Sequence, residues 1–338
     1  MKRILSGIQP SGRPHLGNYL GAMRQHIEMQ KDYECYLFIA DLHALTTVKD
    51  PAKMRQQTLD IALAYLALGL DPAKTVFFKQ SDLSEHAELC WILDCLATMP
   101  FLERAHAWKD AQQKGKKEIT VGLFNYPILQ AADILLYQPD LVPVGQDQKQ
   151  HIEMTRDLAT TFNHSFGETF KIPEPQIKEE VAIVPGTDGQ KMSKSYSNTI
   201  DIFAPEAELK KQVMGIITDS TALEDPKDPE TCTVYKLYKL LATPAETKAL
   251  AAKYKAGNFG YGDAKKILLA KILDHFSSAR TRYNKLKEDE SSIWKILDDG
   301  AVRAKKIAGT TLDEVKVRVG YRSSYNKMTA HFSVEHID

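Results

Sequence analysis

The first half of the chain alternates two hydrophobic rhythms. Short apolar runs with β-branched or aromatic residues, RILSGI at 3–8, CYLFIA at 35–40, TVFFKQ at 75–80 and LVPVG at 141–145, lie near turn formers and predict buried strands. Between them Leu59, Ala62, Leu63 and Leu66 recur at i, i+3, i+4 and i+7, as do Leu89, Ile92, Leu93 and Leu96. That spacing gives each intervening segment one apolar helical face. Strand and helix in alternation predict an α/β fold, a doubly wound parallel sheet. Such sheets take their ligands beyond the carboxyl ends of the strands.

Past residue 200 the rhythm is helical alone. Val234, Leu237, Tyr238 and Leu241 share one face. A new helix start follows, with Thr243 as N-cap, Pro244 at the first helical position and Glu246 closing a capping box. Leu269, Ile272, Leu273 and Phe276 repeat the spacing. A smaller all-helical domain is therefore expected over about residues 200–292, after a sheet domain at 1–199. The last residues, from YRSSYNKMTAHFSVEHID, have no clear period and read as an extension.

Bulk properties change this picture little. A length of 338 residues exceeds one typical core, in keeping with two domains. No apolar run is long enough to cross a bilayer, and MKRILSGIQPSG reaches Gly and Pro too soon for a signal peptide, so the expected location is the cytoplasm. Cys35, Cys90, Cys95 and Cys232 form no CxxC pair. Neither a zinc site nor a disulfide framework is suggested, and buried, reduced thiols are expected. Lys+Arg and Asp+Glu number 44 each, so a polyanionic partner must be met by local clusters.

Five stretches carry candidate chemistry. GIQPSGRPHLGNYLGAM follows the first strand and opens a helix, with Gly7, Gly12 and Gly17 permitting close backbone approach and His15 and Asn18 adding donors. It also reads as a plain glycine-rich turn in which His15 only caps. It contains neither GxGxxG nor GxxxxGK[ST], so neither a dinucleotide site nor a P-loop is indicated. In FNYPILQAADILLY, Tyr126, Gln130 and Asp133 fall on one helical face, and Asp133 stands among apolar residues where an ionised carboxylate needs a partner.

In LVPVGQDQKQHIEMTRDL a strand ends at Gly145, and Asp147 can either cap the following helix or accept ribose hydroxyls. His43 in IADLHALTT follows another strand at the same sheet edge. Finally, DGQKMSKSYSNT holds Lys191 and Lys194, two cations that suit either a solvated loop or a polyphosphate.

Together these motifs resemble one family. PHLGN stands where class I aminoacyl-tRNA synthetases carry their HIGH motif, and KMSKS is their second signature, unaltered. SGIQPSG, AADILLY and VPVGQDQKQHIEMTRDL resemble the tryptophanyl branch, and GYGDAKKILLAKI extends the resemblance into the helical region. The resemblance implies a Rossmann-like core of HUP type at 1–199 with its mobile loop at 191–195. It further implies an anticodon-binding helical domain at 200–292, a C-terminal helical region at 293–325 packing back on the core, and a tail at 326–338.

The implied activity is activation of L-tryptophan with ATP and magnesium, then charging of tRNA(Trp), by a homodimer. No protein-liganded metal, membrane or DNA partner is implied. Lys191, Lys194, Ser193, Ser195 and Gln9 would serve catalysis. ATP would lie against Gln9, Pro10, Ser11, His15, Gly17, Asn18, Gly145, Gln146, Asp147, Ile183, Lys191, Met192 and Lys194. Tryptophan would meet Leu5, His43, Tyr126, Gln130, Asp133, Val142, Val144 and Gln148, with Asp133 accepting the indole N–H.

Three positions depart from the family's motifs. Asn18 ends the first motif in place of histidine, as is common in tryptophanyl enzymes, Leu5 stands where many bacterial relatives have an aromatic, and Gln130 replaces the methionine usual in bacterial tryptophanyl enzymes. The Tyr126, Gln130, Asp133 arrangement also resembles tyrosyl enzymes outside the bacterial branch. Tyrosine activation is thus the alternative on the same fold, and a catalytically silent protein that binds RNA or a partner is the alternative of another class.

Overall fold

A computed structural model of the chain describes residues 1–105, 108, 119–177 and 184–322. Five strands, β1 (Arg3–Ile8), β2 (Glu34–Ile39), β3 (Thr75–Lys79), β4 (Leu141–Val144) and β5 (Glu174–Ile177), form one sheet in the order β3-β2-β1-β4-β5. Every pairing is parallel, from Arg3 opposite Glu34 on one side of β1 to Ile4 opposite Leu141 on the other. The first four strands are the predicted apolar runs. The doubly wound order reverses between β1 and β4, which opens a crevice at their carboxyl ends.

Helices cover both faces. Pro51–Leu68 starts under the Asp50 cap and ends at Gly69, whose φ of 110° suits the left-handed closing turn. It buries Leu59, Ala62, Leu63 and Leu66 in a core that also holds Phe77 and continues through Leu237, Ile272 and Leu297. On the opposite face Glu85–Asp94, Val121–Leu136 and Lys149–Phe166 bury Leu89, Ile128 and Phe162 with Phe38 and Phe78 of the sheet. Leu96 lies just past the end of Glu85–Asp94 and is only partly buried.

After residue 200 come Glu206–Met214, Thr233–Lys239, Pro244–Ala256, Tyr261–His275 and Ser277–Lys287. The Thr243 and Glu246 capping box forms as the sequence spells it, with Pro244 in the first turn. Glu290–Arg318, 29 residues long, then runs along β3. Its Gly300 lets the helix backbone meet the strand, since a Cβ there would stand 1.8 Å from the Phe77 carbonyl oxygen. Arg303 Nη1 ties the same helix to the Pro72 carbonyl at 2.5 Å.

Three expectations are corrected. β5 was not read from the sequence, because EPQI carries a proline and no apolar run; it forms by pairing with β4. A 3₁₀ turn, Gln146–Gln148, precedes Lys149–Phe166, so Gln148 and not Asp147 takes the N-cap position. All four cysteines are free, but only Cys35 and Cys232 are buried; Cys90 is half-buried and Cys95 exposed. Ile183, the side chain of Asp147 and the segment 323–338 lie outside the described residues.

Candidate active site

The crevice between β1 and β4 opens into a pocket of about 490 Å³. Strand β1 contributes Leu5, β4 contributes Val142 and Val144, and Gly145 and Gln148 follow at the strand's end. Tyr126, Gln130 and Asp133 enter from Val121–Leu136, four and then three residues apart, and His43 comes from the turn after β2. All eight residues expected around an amino acid thus line one cavity, together with Gln9 and Gly145 from the set expected around ATP. Gly7 belongs to the same wall. A side chain there would collide with the Phe38 ring, 2.5 Å from a Cβ.

Asp133 is the buried anion of this pocket, 1% exposed. Its Oδ1 accepts from Gln80 Nε2 and His86 Nδ1, both at 2.7 Å, and its Oδ2 from His43 Nε2 at 2.8 Å. Burial alone would raise its pKa, but the hydrogen bonds from His43 and His86 outweigh that and hold it at about 2. The carboxylate is therefore ionised and purely an acceptor at neutral pH. Gln80 and His86 were missed by sequence reading. The one available signal was that Asp133, among apolar neighbours, must have partners.

The two signature segments meet at the turn that leaves the pocket wall at Gln9. His15 caps the helical run that follows it, its Nδ1 accepting from the Asn18 N–H at 3.3 Å while Asn18 Oδ1 accepts from the His15 N–H at 3.0 Å. Burial, and then the charge of Lys194, lower the His15 pKa from 6.5 to about 4, so the ring is neutral at pH 7. The Gly17 N–H points at Met192 Sδ, 3.3 Å away, and Lys194 Nζ donates to the Ser11 carbonyl at 2.5 Å. Desolvation lowers the Lys194 pKa against the opposing pull of Asp201 and Asp60.

Within the lysine loop, buried Met192 is the anchor and Lys191 is exposed, its backbone bridged to Pro185. Ser193 Oγ accepts from the Ser195 N–H at 3.3 Å, a local cap of the turn Lys194–Tyr196. Asn198, which the sequence did not flag, holds the loop together. It accepts from the Ser193 N–H at 2.7 Å and donates to the Lys191 carbonyl at 3.1 Å and Asp188 Oδ1 at 2.8 Å. Pro10 is buried, whereas Ser11 and Gln146 are exposed. Among the described residues no three His, Cys, Asp or Glu side chains are grouped to hold a metal ion.

A parallel sheet with a switch-point pocket, flanked by a histidine-capped turn and a two-lysine loop that touches it, is the architecture of a doubly wound ligand-binding core. The chain belongs to the tRNA synthetases class I (W and Y) family, which it matches over residues 1–277. It is 50% identical, over 95% of its length and 100% of the relative's, to the tryptophan–tRNA ligase of Rhodopirellula baltica. Among solved structures, the tryptophanyl-tRNA synthetase of Campylobacter jejuni complexed with ADP and tryptophan superposes with a TM-score of 0.89 at 48% identity, covering 94% of this chain and 99% of that one. The tyrosyl-tRNA synthetase of Archaeoglobus fulgidus shares the fold, with a TM-score of 0.61 at 21% identity over 83% of this chain and 90% of that one.

Proposed function

We propose that this chain is a tryptophan–tRNA ligase. It activates L-tryptophan with ATP to give tryptophanyl-adenylate and pyrophosphate, then transfers the acyl group to the terminal ribose of tRNA(Trp). The observation that carries this reading is a single pocket that holds an ionised buried carboxylate and is walled by Gln9, two residues before the Ser11 carbonyl that Lys194 reaches. The 50% identity to a tryptophan–tRNA ligase over nearly the whole chain gives the same substrate.

In this reading the tryptophan side chain enters between Leu5, His43, Val142 and Val144. Its indole N–H donates to Asp133, and its ammonium lies toward Tyr126 and Gln148. One oxygen of the tryptophan carboxylate attacks the α-phosphorus of ATP. The bond from that phosphorus to the bridging oxygen breaks, and negative charge gathers on the departing pyrophosphate.

Lys191 and Lys194 stabilise that charge, Ser193 and Ser195 add hydrogen bonds, and Gln9 with the Ser11 to Asn18 turn positions the nucleotide. Neutral His15 offers the phosphates a hydrogen-bonding ring without adding charge. Gly145 and Gln146 approach the adenosine. Magnesium arrives with the ATP as part of the substrate. In the second step a ribose hydroxyl of the tRNA attacks the acyl carbon and AMP leaves.

We assign the helices of 200–292 to the anticodon end of the tRNA and the sheet domain at 1–199 to its acceptor end, with Glu290–Arg318 as the helix that braces the sheet domain. A homodimer in the cytoplasm is the proposed working form. Trp91, Met99 and Val121, each more than half exposed on neighbouring helices, favour a covered face there. Among the described residues no helix is long and apolar enough to cross a membrane.

Amino-acid-dependent ATP/pyrophosphate exchange on the purified protein, comparing tryptophan, tyrosine and phenylalanine, tests the reading. Exchange with tryptophan alone is expected. Exchange with tyrosine would make Gln130 the deciding residue, and none with any of the three would leave a binding protein.

A further inference from the structure

Two buried polar side chains behind the pocket are unexplained by its walls. His86, fully buried on Glu85–Asp94, and Tyr137, fully buried at the end of Val121–Leu136, do not line the cavity. Both sit in an aromatic cluster. The Tyr137 ring lies 5.7 Å from Phe78 and 5.3 Å from Tyr36, and the His86 ring lies 6.0 Å from Phe38. Apolar residues of the same shape would fill this space, and an unpartnered phenol or imidazole here would be costly.

Their polar atoms form one line that ends on Asp133. His86 Nδ1 is 2.7 Å from Asp133 Oδ1, and His86 Nε2 is 3.0 Å from the Tyr137 hydroxyl. An ionised carboxylate only accepts, so Nδ1 carries a proton, which leaves Nε2 to pair with the Tyr137 hydroxyl. Gln80 completes the frame. Its Nε2 donates to Asp133 Oδ1 while its Oε1 accepts from the Leu42 and His43 N–H groups at 3.2 and 3.4 Å.

Oδ1 thus has both lone-pair sites taken, by His86 and Gln80. Oδ2 takes His43 and keeps one. Among the described residues, that is the carboxylate's one open acceptor site, on the oxygen shared with the pocket-lining His43.

We propose that Tyr137 and His86 are positioning residues for amino-acid selection: the line from the Tyr137 hydroxyl through the His86 ring fixes the tautomer of His86 and the rotamer of Asp133, presenting the free site on Oδ2 to the substrate's ring N–H. This rests on the reading of Asp133 as the indole acceptor. Tyr137 acts only through His86, and His86 only through Asp133. Neither contributes to the phosphate chemistry at Lys194.

The test is tryptophan-dependent exchange on the full-length chain with Tyr137→Phe, His86→Asn and the double variant. Tyr137→Phe removes one oxygen and leaves the packing, so the KM for tryptophan should rise about tenfold, the effect of one lost hydrogen bond. The kcat and the KM for ATP should stay within about twofold of the parent. His86→Asn keeps an amide donor near the Nδ1 position and should retain most of the parent's affinity. In its background Tyr137→Phe should add nothing, because the link it serves is gone.

A uniform fall in kcat with unchanged KM, or the same Tyr137→Phe effect with and without His86, overturns the proposal and leaves the pair structural. Absence of tryptophan exchange in the unaltered protein overturns the function itself. The two failures are therefore separable.

Discussion

Lys194 sets its Nζ 2.5 Å from the carbonyl oxygen of Ser11, a residue 183 positions earlier in the chain. The contact draws the lysine loop onto the turn that follows β1, and Met192 holds it there by the sulfur contact with the Gly17 N–H. A cation that now satisfies a neutral carbonyl has much more to gain from a phosphate group that becomes more negative as pyrophosphate departs. Lys194→Ala should therefore cut kcat for activation by about 10²- to 10³-fold, on the scale of one lost transition-state contact, while tryptophan affinity changes little. Single-turnover adenylate formation beside equilibrium tryptophan titration separates the two. Equal losses in both would remove Lys194 from the chemical step.

Asp133 answers for selection in the same way that Lys194 answers for rate. Replacing it with alanine would strand the donors of His43, His86 and Gln80 in a buried site and damage stability as well. Asp133→Asn is the cleaner variant because it keeps the shape. It should weaken tryptophan by on the order of 3–5 kcal/mol, as expected for loss of one partner in a buried charged network. ATP titration should give an unaltered affinity. Tryptophan binding that survives Asp133→Asn intact would show the carboxylate to be a framework group.

How far the sequence disclosed this site depends on how local each signal was. β1 to β4 were legible because each is a continuous apolar run. β5 was not, because Glu174 to Ile177 becomes a strand only when β4 lies beside it. The eight pocket residues were legible from strand ends, from the helical spacing of Tyr126, Gln130 and Asp133, and from family resemblance. Gln80 and His86 were not. Gln80 closes the predicted strand run TVFFKQ, His86 stands among polar residues ahead of Leu89, and their common partner is 53 and 47 residues away. Asn198 was hidden similarly, as one polar residue in a polar loop.

The buried ring of His15 gives a pH dependence with a definite sign. Its folded pKa of about 4 lies below the 6.5 expected in the unfolded chain, burial being the main cause and Lys194 the second. Between pH 6.5 and 4 the unfolded chain binds a proton that the folded protein refuses, so stability falls as pH falls through that window. Above pH 6.5 the group contributes no slope. Relative to His15→Gln, the parent should lose on the order of 1–2 kcal/mol more over this window once solvent screening is allowed for. Urea midpoints of both proteins across the range check this. The comparison cancels neighbouring Asp201, whose carboxyl is raised by burial. Parallel curves would mean that the ring titrates normally.

Glycines of one helix should differ sharply in what a methyl group does. Gly300 lies against β3, where a Cβ would come within 1.8 Å of the Phe77 carbonyl oxygen and 2.6 Å of its carbon. Both are backbone atoms of a packed strand, so the helix Glu290–Arg318 must lift away or the sheet must deform. Gly300→Ala is expected to destabilise by about 3 kcal/mol or more. Gly309, nine residues further on, has nothing within 4 Å of its Cβ position. There the same change supplies a better helix former and reduces the freedom of the unfolded chain, for a gain of about 0.5–1 kcal/mol. Urea denaturation of the two variants should therefore move the midpoint in opposite directions. Similar effects at both sites would mean that the helix does not rest on β3 as closely as the Gly300 contact requires.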